Sequence, residues 1–101
     1  MTVNDNFVIR EIADEYIIIP TGEMALKFSG FISTNEVGVF IWKQLLNECT
    51  KEMILEEILN EFEIDKEVAK QDLAEFLFQL NQLELLNNED KLNLKYFKVN
   101  Q

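Results

Sequence analysis

The chain has 101 residues, a length that suits one domain. It carries nine basic and 19 acidic residues and no histidine, which gives a formal net charge of −10. This balance disfavours nucleic-acid binding, which depends on lysine and arginine, and the missing histidine removes the commonest general base near neutral pH.

The first third of the chain has the period-two alternation of β-strands. Apolar residues either alternate with polar ones or form a short continuous run with polar residues on both sides. This pattern predicts strands near residues 7–12, 15–20 and 24–29. Residues 13–14 and 20–22 are predicted to be turns, since proline cannot donate to a ladder and glycine tolerates positive φ. In the third strand, Leu26 and Phe28 are predicted to face the core.

The rest of the chain has helical periodicity. N-cap residues and helix-breaking residues predict the limits of three helices, near residues 35–47, 50–62 and 65–86. Thr50 is the expected N-cap of the second, and Ser33 with Glu36 fits a capping box at the first. The predicted fold class is α+β and winged-helix-like, with a three-stranded antiparallel sheet followed by three helices. Residues 1–90 form the domain, and residues 91–101 form a basic tail with an alternation that fits an extra strand.

The order and spacing of these features resemble those of the PqqD family, named for pyrroloquinoline quinone synthesis and known as peptide-recognition elements. The resemblance covers roughly residues 7–87. Its matching positions are Asn35-Glu36, Ile41-Trp42, Thr50, Ile54, Ile58, Asp65, Val68 and the run from Asp72 to Leu80. It implies a peptide-binding adaptor that holds the leader segment of a ribosomally made precursor peptide and presents it to a modifying enzyme, often of the radical S-adenosylmethionine type.

The resemblance also implies where the peptide binds, between the third strand and the third helix. On this chain the predicted peptide-binding residues are Ala25, Leu26, Lys27, Phe28 and Ser29 of the strand and Val68, Asp72, Phe76 and Gln79 of the helix. The opposite flank of the helix is the alternative wall. An exposed strand edge suits this role, because its unpaired backbone groups can bind an extended peptide.

No catalytic or metal-binding pattern is apparent in the sequence. Cys49 has no histidine partner, and the three glycines are scattered rather than grouped in a phosphate-binding loop. We therefore expect no enzyme activity, no cofactor and no metal. A single cysteine, the absence of an apolar run of roughly 18 to 20 residues and the absence of a secretion-signal layout predict a cytoplasmic protein that does not bind membranes or nucleic acid.

Two alternative functions remain open at this stage. One is self-association as a dimer, through a second apolar stripe on the third helix and the tail; its residues would be Ala74, Phe78, Leu85 and Tyr96. The other is a winged-helix DNA-binding regulator, which the acidic helices disfavour.

The charge of the tail is opposite to that of the body. Residues 1–90 hold six basic and all 19 acidic residues, for a net charge of −13, whereas residues 91–101 hold three lysines and no acid. Leu92, Leu94 and Tyr96 alternate with polar residues in this tail. This pattern and charge lead to the hypothesis that the tail packs on the acidic body. The alternatives are an ordinary basic end that frays, an added strand of the sheet, or a cover for the second apolar stripe of the third helix.

Overall fold

The computed structural model describes residues 1–87 and contains five strands and four helices within them. The strands are β1 (Thr2–Val3), β2 (Phe7–Ile12), β3 (Glu15–Pro20), β4 (Ile32–Thr34) and β5 (Leu86–Asn87). The helices are α1 (Met24–Lys27), α2 (Glu36–Gln44), α3 (Lys51–Glu61) and α4 (Lys66–Gln82). The predicted α+β class, with a three-stranded antiparallel sheet followed by three long helices, is confirmed. The predicted tail lies outside the described residues.

The first two predicted strands are confirmed with their predicted bounds. β2 and β3 form an antiparallel hairpin in which Phe7 lies opposite Pro20 and Ile12 opposite Glu15. Ala13 has a φ of 59° at the hairpin turn. β4 pairs antiparallel with β3, so the sheet order is β2-β3-β4.

The predicted third strand, residues 24–29, is wrong. The segment begins with the short helix α1, in which the N–H groups of Met24 and Ala25 donate to the carbonyls of Thr21 and Gly22, each at 3.1 Å. Gly22 has a φ of 57°, which turns the chain out of β3, and the run Met-Ala-Leu-Lys consists of good helix formers. The third strand of the sheet is instead β4.

The apolar side chains of this segment do not share one environment. Phe28 is half-buried and its ring packs edge-to-face on Phe7, with the ring centroids 5.9 Å apart. Leu26 is 89% exposed, so the prediction that it faces the core is wrong. The period-two pattern of this segment arises from a helical turn followed by extended backbone.

The junction between β4 and α2 determines where the sheet meets the helices. Asn35 is the N-cap of α2, and its side-chain oxygen accepts a hydrogen bond from the N–H of Gly38 at 2.9 Å. The predicted capping box is therefore wrong: Ser33 lies within β4, and its hydroxyl donates to Glu15 at 3.4 Å. One residue of extended backbone separates the strand from the helix.

Gly38 allows α2 to lie directly against the end of β4. A Cβ atom at this position would lie 1.9 Å from Oγ1 and 2.9 Å from Cβ of Thr34. Such distances are far below van der Waals contact, so any larger residue must push the helix and the strand apart.

The predicted starts of the helices near residues 50–62 and 65–86, which are α3 and α4, are confirmed. Thr50 caps α3, since its Oγ1 accepts from the N–H of Met53 at 3.2 Å, and α4 follows Asp65. α4 ends at Gln82, four residues before the predicted end. Glu84 has a φ of 59°, which turns the chain back so that the N–H of Leu85 donates to the carbonyl of Leu80 at 2.9 Å.

A small second sheet joins the two ends of the described chain. β1 pairs antiparallel with β5, with Thr2 opposite Asn87 and Val3 opposite Leu86. The N–H of Val3 also donates to the carbonyl of Leu45 at the end of α2. Two-residue strands carry too little periodicity for the sequence to predict them.

One apolar core connects the sheet with the three long helices. Its largest fully buried side chains are Trp42, Ile18, Ile32, Ile41, Leu45, Ile54, Ile58 and Leu80. Cys49 lies in the predicted helix connection, where burial raises the pKa of its thiol. The amino group of Met1 lowers this pKa by less than burial raises it, and the Glu48 carboxylate makes the smallest contribution, which raises it. Within residues 1–87, no helix is long and apolar enough to cross a membrane.

We predict that Gly38→Ala destabilises the domain, although alanine favours helices by roughly 0.5–1 kcal/mol over glycine. The added methyl group meets Thr34 at 1.9 Å, and overpacking of this kind costs about 1–3 kcal/mol. The measurement is the free energy of urea unfolding. Adding Thr34→Ala, which removes Oγ1, should recover part of the loss, and an unchanged or higher stability of Gly38→Ala alone would contradict the contact.

Candidate functional site

One face of α4 lies opposite the end of β4. Asp72, Glu75, Phe76 and Gln79 follow the spacing i, i+3, i+4 and i+7, which places them on one side of a helix. All four line a cavity of about 140 Å³ on the surface of the domain. α4 therefore presents one continuous wall to this cavity.

The opposite wall comes from the junction between β4 and α2. It consists of Thr34, Asn35, Val37, Gly38 and Ile41. The cap at Asn35 and the close contact at Gly38 hold this wall in place, so the same residues that start α2 also shape the cavity. We call the cavity and the adjacent edge of β4 the β4–α4 groove.

The groove has an apolar floor and an acidic rim. Ile41 and Phe76 are buried in the core and form the floor, whereas Glu75 is exposed and Asp72 is half-buried. No lysine or arginine is among the described residues that line the cavity. The groove thus combines apolar contact with attraction for positive charge.

The edge of β4 provides backbone hydrogen-bonding groups beside the cavity. β4 pairs with β3 on one side, and among the described residues no strand pairs with it on the other. Alternate residues of a strand direct their N–H and C=O groups to opposite sides, so part of the β4 backbone is available for a further strand. This edge is short, at three residues.

Acidic groups also lie near Tyr16, beside the end of β4. Tyr16 lies opposite Thr34 in the β3–β4 register. The Glu11 carboxylate raises the pKa of the Tyr16 phenol, and burial and the Glu36 carboxylate add to the increase. The end of β4 thus lies near negative charge from several elements.

Of the predicted peptide-binding residues on α4, the structure brings Asp72, Phe76 and Gln79 together in the groove. Val68 lies one turn before Asp72, is 45% exposed and does not line the cavity. Residues 25–29 do not line it either, because they lie in α1 and the following loop rather than in β4. Peptide binding by any of these residues stays a prediction.

Sequence reasoning missed the wall formed by residues 34–41 and the carboxylate of Glu75. A signal for this wall was present in the sequence, since Gly38 stands inside a helical pattern where glycine is unfavourable. Such a glycine indicates a close approach of another element, here Thr34. Placing the third strand at residues 24–29 concealed that relation.

Among the described residues, Leu85 of the predicted self-association stripe does not share the exposed surface of Ala74 and Phe78. Ala74 and Phe78 are exposed on α4, and Phe78 retains 46% of its surface. Leu85 is only 4% exposed, because the chain turns back at Glu84 instead of continuing the helix. Tyr96 lies outside the described residues. Self-association stays a prediction.

Comparisons with known proteins agree with this architecture. The sequence model of a family described as "Coenzyme PQQ synthesis protein D (PqqD)" matches residues 9–86. No curated protein matches the chain. The solved structure of TbiB1 in complex with the TbiA(beta) leader peptide is 28% identical, with a TM-score of 0.64, and the match covers 89% of this chain and 99% of that one.

A second solved structure is lasso peptide synthetase B1 complexed with the leader peptide. It is 14% identical with a TM-score of 0.56, and the match covers 79% of this chain and 88% of that one. At this level of identity the likeness shows the fold alone.

We predict that the floor and the rim of the groove differ in their effect on stability. Phe76→Ala should lower the free energy of unfolding by about 3–5 kcal/mol, because Phe76 is 6% exposed and packs in the core. Gln79→Ala, at an exposed position of the same groove, should change it by less than about 0.5 kcal/mol. Urea unfolding measures both, and equal losses would contradict the assignment of Gln79 to the rim.

Proposed function

This chain belongs to the PqqD family, and from that premise we propose that it is an adaptor that binds the leader segment of a ribosomally made precursor peptide. The observation that supports this best is the edge of β4 beside a cavity on α4 with an apolar floor and an acidic rim. The similar TbiB1 structure contains a leader peptide, at 28% identity over nearly the whole of that chain. On the sheet side, the proposed peptide-binding site is therefore β4 and not residues 25–29.

An extended peptide would bind this groove as an additional strand. Its backbone would exchange hydrogen bonds with the outer side of Ile32–Thr34. Alternate side chains would then point toward α4, where Val37, Ile41 and Phe76 offer apolar contact. Backbone bonds provide affinity in this mode, and the side-chain contacts select the sequence.

The rim of the groove favours a leader with positive charge near its apolar anchors. Asp72 and Glu75 line the cavity without a basic neighbour in its described lining, and the domain as a whole is acidic. Charges of one sign in a binding region attract opposite charge and disfavour like charge. An acidic leader segment would meet repulsion at this rim.

The groove favours presentation of a peptide over chemistry on it. Its described lining contains no cysteine, lysine or histidine, the side chains of Thr34, Asp72 and Glu75 have no basic partner in that lining, and its floor is apolar. Within residues 1–87, no group of histidine, cysteine, aspartate and glutamate side chains has the arrangement of a metal site. The reaction therefore belongs to a partner enzyme, with a radical S-adenosylmethionine enzyme as the predicted class.

DNA binding has no comparable support. The basic residues of α4 are Lys66 and Lys70, and Lys70 lies 3.9 Å from the carboxylate of Glu67. Neutralising several phosphates requires a cluster of basic side chains, and α4 carries more acids than bases.

We predict that N-methylation of the leader backbone weakens binding at alternate positions only, as addition of a strand to β4 requires. The probes are synthetic peptides that cover the leader encoded beside the gene of this protein, each with one N-methyl group, titrated by calorimetry. Methyl groups at alternate positions of the bound segment should weaken binding roughly tenfold or more, since each removes a backbone hydrogen bond and blocks the strand edge.

The intervening positions serve as the control, because their N–H groups point away from β4. Methylation there should change the dissociation constant by less than about threefold. Equal effects at all positions, or none at any, would show that the leader does not bind as a strand.

We predict that the acidic rim selects basic leaders. Asp72→Asn with Glu75→Gln should weaken binding of a lysine-containing leader roughly two- to tenfold at low salt, in line with exposed ion pairs. Glu56→Gln with Glu57→Gln removes the same charge from exposed positions of α3 and is the matched control. If both pairs weaken binding equally, the attraction comes from net charge and not from the rim.

A further inference from the structure

A second cavity lies on the other side of α4. It has a volume of about 240 Å³ and lies between α3 and α4. Its lining residues are Lys51, Glu52, Leu55, Lys70, Leu73 and Ala74. None of them lines the β4–α4 groove, so the two cavities are separate surfaces.

This α3–α4 cavity continues into exposed apolar surface on α4. Lys70, Ala74 and Phe78 follow the spacing i, i+4 and i+8 and form one row along the helix. Ala74 and Phe78 are exposed, and Phe78 is one of the larger exposed apolar side chains of the domain. The row and the cavity together form a strip that an apolar segment could cover.

The described chain ends close to the start of α3. β5 runs antiparallel to β1 with Asn87 opposite Thr2, the residue next to Met1. The carbonyl of Met1 accepts a hydrogen bond from the N–H of Cys49 at 3.4 Å. Cys49 directly precedes the first turn of α3, whose Lys51 and Glu52 line the cavity.

The sequence that follows Asn87 has the length and pattern to occupy the strip. Residues 88–90 span up to about 10 Å when extended, and residues 91–96 about 20 Å more. The strip from Lys70 to Phe78 is about 12 Å long at 1.5 Å per helical residue. Leu92, Leu94 and Tyr96 recur at every second position, so an extended segment directs all three to one side.

Charge around the cavity is mixed, because Glu52 lines it together with Lys51 and Lys70. Residues 91–101 carry three lysines and no acidic residue. Glu48 and Glu52, just before and within the first turn of α3, are both exposed and can attract these lysines. Lys70, the basic group on α4 at the cavity, lies close to the carboxylate of Glu67, which reduces its repulsion of the incoming lysines.

We propose that residues 91–101 of this chain dock on the α3–α4 cavity and the adjoining Ala74–Phe78 surface. Leu92, Leu94 and Tyr96 contact the apolar strip, and the lysines face the carboxylates at the start of α3. This docking holds α4 from the side opposite the β4–α4 groove and leaves that groove open. It is independent of leader binding, because the two surfaces share no lining residue.

The test compares two variants of the full chain by ¹⁵N-resolved amide spectra and hydrogen exchange. Leu92→Asp with Leu94→Asp removes two apolar contacts, and Asn93→Asp with Asn100→Asp adds the same charge and is the matched control. The leucine variant should shift the amides of residues 51–55 and 70–78. It should also raise their exchange rates roughly five- to tenfold, since local opening no longer requires undocking of buried leucines. The control should leave both regions close to the parent.

Each other outcome overturns the proposal. Changes confined to Thr34–Gly38 would place the segment in the β4–α4 groove, where it would compete with a leader. Shifts that appear only at high protein concentration, and that vanish when labelled chain is diluted with a variant lacking both leucines, would assign the surface to a second copy. No difference between the leucine variant and the parent would show that the segment does not dock.

Discussion

The groove depends on the close contact between the end of β4 and the first turn of α2. The backbone of α2 approaches Thr34 to a distance that only glycine permits at residue 38, and Asn35 fixes the helix start through its hydrogen bond to the same residue. A methyl group at Gly38 would cost more in overpacking than alanine gains in helix propensity. Sheet and helix therefore meet with only Asn35 between them, and the open strand edge lies beside α4.

Three sides of α4 face three different parts of the domain. Its buried side, which includes Ala69, Leu73, Leu77 and Leu80, packs in the core. A second side forms one wall of the β4–α4 groove, and a third borders the α3–α4 cavity. Core packing fixes the helix, so a peptide on one side and a segment of the chain on the other can bind without rearranging it. Its length of 17 residues makes this division possible.

In the proposed binding mode, the groove selects a peptide through its cavity and its rim. Backbone bonding at β4 is insensitive to sequence, so discrimination must come from the cavity and its rim. The apolar floor is part of the core and therefore rigid, whereas Asp72 and Glu75 contribute through charge. Affinity and selectivity thus depend on different residues of one site.

Much of this architecture could be predicted from the sequence. Alternation gave the bounds of β2 and β3, and the caps gave the starts of α3 and α4, because these signals are local. The same rule failed at residues 24–29, where one helical turn followed by extended backbone imitates a strand. That error misplaced the sheet side of the groove, although the residues chosen on α4 included three that line it.

The rest required three-dimensional information. Glu84 has a positive φ, which ends the helical periodicity and turns Leu85 into the core. No glycine or proline in the sequence indicates this turn. The pairing of β1 with β5 joins residues that are more than 80 positions apart in the sequence, and each strand has only two residues. Neither feature produces a local signal.

The central claim is that a leader peptide adds to β4 beside α4. The most direct measurement is a set of intermolecular nuclear Overhauser effects between the labelled protein and the unlabelled leader encoded beside its gene. The account predicts backbone-to-backbone contacts from Ile32–Thr34 to the peptide, together with side-chain contacts from Phe76 and Gln79. Saturating binding without backbone contacts to β4, or with contacts confined to α1 and the α3–α4 cavity, would contradict it.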